Sequence, residues 1–91
     1  MGYDEVREVV GPKRTLEILE LLEEEGPLNF SAIEEEVPTS SDTISKRLAV
    51  LAEYNLVVRD ERSKKDVKYS ITTRGEEVLN SIRELVDILE N

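Results

Sequence analysis

The 91-residue chain contains no cysteine, no histidine and no tryptophan, and a single phenylalanine. Without Cys, disulfides and thiol redox switching are excluded. Without Cys or His, zinc-finger ligation and imidazole acid–base chemistry are excluded as well. This removes most enzymes: a nucleophile–base pair or metal cluster would have to be built from carboxylates, and these are scattered over helix surfaces. No catalytic residue, metal ligand or cofactor is therefore expected. Long apolar runs are also missing, and the opening MGYDEVREVV is acidic with no apolar stretch of the kind that directs export. The chain reads as soluble and cytoplasmic, with no membrane partner.

Positive charge is scarce too, with 12 Lys and Arg against 21 Asp and Glu, a net charge of −9. Taken whole, that argues against nucleic acid as a partner. Its distribution argues the other way. Between Thr39 and Arg74 lie eight basic and five acidic residues, a local excess of +3, and the remainder of the chain carries −12. A basic face on an acidic body suits a module that binds a polyanion.

No repeat, low-complexity tract or linker divides the chain, which is expected to form one domain over 1–91. Tyr3, Val6 and Val10 recur at helical spacing until Gly11-Pro12 interrupts them, giving a short N-terminal helix over 1–10. A second helix carries Leu16, Ile18, Leu19 and Leu22 and stops at Gly26-Pro27. Asn29 is placed to cap a short helix whose apolar face is Phe30, Ile33 and Val37, ended by Pro38. Ser40 can cap the next, in which Ile44, Leu48 and Leu51 point inward while Asp42, Ser45, Lys46 and Ala49 stay outside. Asn55 follows, where a residue tolerant of the left-handed conformation is wanted. Leu56 to Val58 and the alternating Val67, Tyr69 and Ile71 read as two strands joined by a polar tip, a β-hairpin. Thr72 or Thr73 can cap a last helix over 75–91, and Thr73 with Glu76 has capping-box spacing.

The last helix bears Val78, Leu79, Ile82, Leu85, Val86, Ile88 and Leu89, a stripe wider than a small three-helix core can cover. Self-association is the simplest use of it. Val78, Ile82, Leu85 and Leu89 follow a near-heptad spacing, and Tyr3, Val6 and Val10 offer a second surface. Tyr69 is read as core.

Three helices followed by a hairpin, with a tight turn between the second and third, describe a winged helix-turn-helix over 12–74. The expected fold is mainly α with a small β-hairpin, flanked by terminal helices that dimerise. The chain also resembles the winged-helix transcriptional regulators of the HxlR type, within the broader MarR and ArsR-like group. The resemblance rests on "GPLNFSAIEEEVP", on "SKRLAVLAEYNLVVRD" and on "VKYSITTRGEEVL", in that order. It implies a homodimer on double-stranded DNA, with the third core helix in the major groove and the wing along the backbone. Ser40, Ser41, Thr43, Ser45, Lys46 and Arg47 then fall on groove- or phosphate-facing positions, and Arg62, Lys64 and Lys65 at the wing tip. Arg47 has another reading, as a fold residue paired with a carboxylate such as Glu34 or Glu35. A reading of a different class keeps the fold without DNA, as a protein–protein interaction module for a basic partner.

Overall fold

The structure, a computed structural model, describes residues 2–62 and 65–91. In chain order the elements are α1 (Tyr3–Val10), α2 (Lys13–Glu25), β1 (Leu28–Asn29), α3 (Phe30–Glu36), α4 (Ser41–Glu53), β2 (Val57–Asp60), β3 (Lys68–Ile71) and α5 (Thr73–Glu90). The core sits where α2, α3, α4 and the start of α5 meet the sheet. Ile18, Leu19 and Leu22 enter it from α2, Ile33 from α3, Ile44, Leu48 and Leu51 from α4, and Leu79 from α5, all essentially without solvent contact. The three α4 residues are those whose i, i+4, i+7 spacing marks them as inward. Truncating one of them, such as Leu51→Ala, would cost about 2–5 kcal/mol.

Capping decides where the helices begin. The Asn29 side chain accepts the Ala32 N–H at 2.9 Å, and Ser40 Oγ accepts the Thr43 N–H at 3.2 Å. For α5 the cap is Thr72, whose Oγ1 accepts the Gly75 N–H at 3.0 Å, and the box spacing of Thr73 with Glu76 is not used. At the end of α4, Asn55 takes φ 61° and the Leu56 N–H reaches back to the Leu51 carbonyl at 2.9 Å. That 6→1 bond closes the helix with the left-handed residue expected there.

The hairpin gains a third strand. β3 pairs antiparallel with β2 (Val57 opposite Ile71, Asp60 opposite Lys68) and on its other edge with β1 (Leu28 opposite Tyr69). β1 has two residues, too few to show an alternating pattern, and Asn29 serves both strand and cap. Leu56 and Val67 lie outside the strands expected to contain them. Leu56 is instead buried in the joint, its carbonyl accepting the Thr72 N–H at 3.0 Å.

From α5, Gly75 and Leu79 are buried and Val78 and Ile82 half-buried, whereas every residue from Arg83 onward is exposed. Arg83 is the last tether, donating to Glu23 of α2 at 2.9 Å with Glu20 at 3.9 Å. This gives part of the acidic run at the end of α2 a structural use. Beyond that point the helix projects from the body, and the long dimension of the molecule is 45 Å.

Candidate nucleic-acid interface

The exposed face of α4 is organised by its own first turn. Ser40 is occupied as the cap and also donates to Thr43 Oγ1 at 3.0 Å, and Ser41 donates to the Glu34 carboxylate of α3. These two hydroxyls therefore fix the turn between α3 and α4 as much as they face outward. Ser45 and Lys46 are exposed, and Lys46 Nζ lies 3.0 Å from Asp42 Oδ2 one turn earlier. Such an exposed pair is weak, worth less than about 1 kcal/mol, so Lys46 can exchange the carboxylate for another anion.

Arg47 does not make the pair with Glu34 or Glu35 that its alternative reading required. Among the described residues it forms no ion pair, and it lies half-buried in a hollow shared with Pro12, Lys13 and Arg14 at the start of α2 and with Thr43 and Lys46 of α4. Four cations from two elements thus meet at one place. Two of them are partly balanced, Arg14 by Glu17 at 2.6 Å and Lys46 by Asp42. Lys13 and Arg14 were invisible to a charge count along the chain because they precede the basic window by some 25 residues and sit in its acidic part.

On the wing Arg59, Arg62 and Lys68 are compensated locally. Arg62 grips Asp60 through Nε (3.0 Å) and Nη2 (2.7 Å), and its backbone N–H also donates to Asp60 Oδ1. That chelate holds the Asp60 carboxyl at about 2, below its ordinary 3.8, chiefly through the side-chain bonds to Arg62. It raises Arg62 in return. Arg59 pairs with Glu61 at 3.0 Å and Lys68 with Asp66 at 3.4 Å. Arg62 is thus drawn back onto its own strand rather than left free. Lys65 is exposed, and Lys64 lies outside the described residues.

The residues expected to associate are partly gathered. Val6 and Val10 of α1 face Val78, Ile82 and Leu85 of α5 across a groove floored by Val9 and Leu56, with Tyr54 at its side. Tyr3 and Leu89 do not line it and are 76% and 82% exposed. Tyr54, at the end of α4, donates a hydrogen bond to Glu8 of α1 at 2.9 Å, a link that residue pattern alone did not reveal.

Among the described residues no group of His, Cys, Asp or Glu is arranged to hold a metal ion, and no helix is long and apolar enough to cross a membrane.

Residues 14–90 match a protein family described as winged helix-turn-helix. An uncharacterized protein of Methanocaldococcus jannaschii is 32% identical over 87 residues, covering 91% of this chain and 72% of its own. A crystal structure described as a "possible HxlR family transcriptional factor" from Thermoplasma volcanium GSS1 superposes with a TM-score of 0.73 at 31% identity, covering 93% of this chain and 78% of that one. The reduced form of the transcriptional regulator YodB from B. subtilis gives 0.79 at 23% identity, over 92% of this chain and 84% of that one, a likeness of fold.

Proposed function

Because the chain belongs to the winged helix-turn-helix family, we propose that it is a transcriptional regulator that binds duplex DNA as a homodimer. The observation that carries the reading is the outward face of α4, where Ser45 and Lys46 are exposed and Arg47 opens into a cationic hollow within an otherwise acidic molecule. A helix capped at Ser40 and with no exposed apolar residue in its first two turns can enter a major groove with those turns foremost. Similarity to a described HxlR-family transcriptional factor at 31% identity supports the same assignment.

Two-fold association is supported by what α1 and α5 leave uncovered. Leu85, Val86, Ile88 and Leu89 project on a helix that has left its own core, beside the groove edged by Val6 and Val10. A second copy placing the same surfaces there would bury both stripes.

The non-DNA reading also draws on a specific observation. Asp42, Asp60, Glu61 and Asp66 are interleaved with the cations of α4 and the wing, which blunts the positive field that a phosphate backbone would meet. Selection from a pool of random duplexes separates the two. The DNA reading expects recovery of an inverted repeat with half-sites about 34 Å apart. It also expects the Lys46→Ala, Arg47→Ala double variant to lose roughly 1–3 kcal/mol per half-site while remaining folded. No duplex recovered at low salt, together with tight capture of a protein partner through the α4 face, would favour the interaction module.

A further inference from the structure

We propose that the hollow between the start of α2 and the outer face of α4 is a DNA-phosphate site, with Lys13 as a backbone-contacting residue outside the helix-turn-helix and wing. The inference rests on the DNA-binding reading and extends it to a segment that lies in the acidic part of the chain. Lys13, Arg14, Lys46 and Arg47 line the hollow with Thr43, and the carboxylates nearest to them in the ion-pair network, Glu17 and Asp42, are taken by Arg14 and Lys46. Lys13 and Arg47 have no carboxylate partner among the described residues. Like charges held together without an anion repel, so the arrangement favours a ligand that carries negative charge.

The hollow is open to solvent and one of its walls is the flank of α4 that carries Thr43, Lys46 and Arg47. A strand whose bases are read from α4 must carry its phosphates past one side of that helix. α2 supplies cations on the side of the hollow. Lys13 would position the duplex and carry no base information, since a lysine on a phosphate is a point charge.

The test compares Lys13→Ala, Lys13→Arg and Lys46→Ala with Arg7→Ala, a cation of α1 that pairs with Asp4 away from the hollow. Affinity of the full chain is measured against salt, for the duplex recovered by selection and for a random duplex. Lys13→Ala should lower the slope of log K on log salt by about 0.9 per phosphate lost, hence about 1.8 in a two-fold dimer, and weaken both duplexes by the same factor. Lys13→Arg should restore the slope, and Arg7→Ala should leave it unchanged. In ethylation interference, one phosphate that matters to the parent protein should cease to matter to Lys13→Ala. If Lys13→Ala keeps the parent slope while Lys46→Ala lowers it, the phosphate site is refuted and the DNA reading stands. A loss restricted to particular base pairs would likewise refute it. If the parent binds no duplex at any salt, the DNA reading itself fails.

Discussion

Gly75 packs against the carbonyl oxygen of Leu56, so closely that a Cβ at this position would collide with that oxygen and come within 2.8 Å of Ile71 Cγ1. The same carbonyl accepts the Thr72 N–H, and Thr72 Oγ1 donates to the Asn55 carbonyl at 2.7 Å. Three contacts therefore rivet the turn after α4 to the first turn of α5. The element proposed to read DNA and the element proposed to dimerise share one joint.

Gly75→Ala tests how rigid that joint is. Helix propensity favours Ala over Gly by about 1 kcal/mol in an exposed helix. Here the obstacle is backbone, which cannot rotate aside, and overpacking of this kind costs about 1–3 kcal/mol. The clash should win, and chemical denaturation should show a net loss of stability. An alanine variant more stable than the parent would mean that the joint gives way easily.

Tyr54 offers a spectroscopic handle on the contact between α1 and α4. Its hydrogen bond to Glu8, aided by desolvation and by the charges of Glu8, Glu5 and Glu53, pushes the phenol up from 10.0 to about 12. The folded value lies above the unfolded one, so the contact's contribution to stability is fully present below pH 10 and is lost as pH rises through about 12. In a phenolate absorbance titration, one of the three tyrosines should ionise near 12. Tyr54→Phe should delete that step and Glu8→Gln should bring it down. A Glu8→Gln titration identical to that of the parent would rule out Glu8 as the cause.

Much of this architecture is legible along the chain because its causes are local. Ile44, Leu48 and Leu51 announce their face by period, Ser40 and Asn29 by their place before a helix, and Asn55 by its tolerance of positive φ. What stayed hidden depends on contacts distant in sequence. Gly75 is a poor helix former by residue type, and its reason, the Leu56 carbonyl packed against it, comes from another element. Tyr54 and Glu8 are 46 positions apart and Arg83 and Glu23 60, and no periodicity links either pair. At the candidate interface the residue types were readable but their pairing was not. Asp60 and Arg62 are neighbours in a net-basic window, yet their chelate removes the arginine from the free charge that a count assigns to the wing tip.

Leu85→Glu tests the proposed association without threatening the core. Leu85 is 52% exposed, so the substitution leaves the interior intact, whereas half-buried Ile82 carries part of the packing. In a two-fold interface each copy would bury an unpaired carboxylate, weakening the dimer roughly 100-fold or more. Sedimentation should show a dimer for the parent and a folded monomer for the variant, with circular dichroism unchanged. A parent protein that sediments as a monomer at high micromolar concentration would defeat the dimer.

The carboxylates interleaved with the cations carry the last prediction. Asp42 sits one turn before Lys46 and pairs with it; in the proposed DNA complex a duplex would have to displace the carboxylate and then tolerate it nearby. A correct operator can repay this through base contacts, but random DNA has only the backbone term, which the same carboxylate weakens. On the proposed DNA reading, Asp42 would therefore act against nonspecific binding. Asp42→Asn is nearly isosteric and removes the competitor, at the cost of the favourable carboxylate–dipole interaction in the first turn of α4. Two such sites in a dimer, each worth less than about 1 kcal/mol, should raise affinity for a random duplex roughly 2- to 30-fold at low salt and narrow its gap from the operator. Asp4→Asn, an identical charge change on α1, controls for net charge. Equal gains from both variants would show that overall charge, rather than the placement of Asp42 beside Lys46, restrains nonspecific binding.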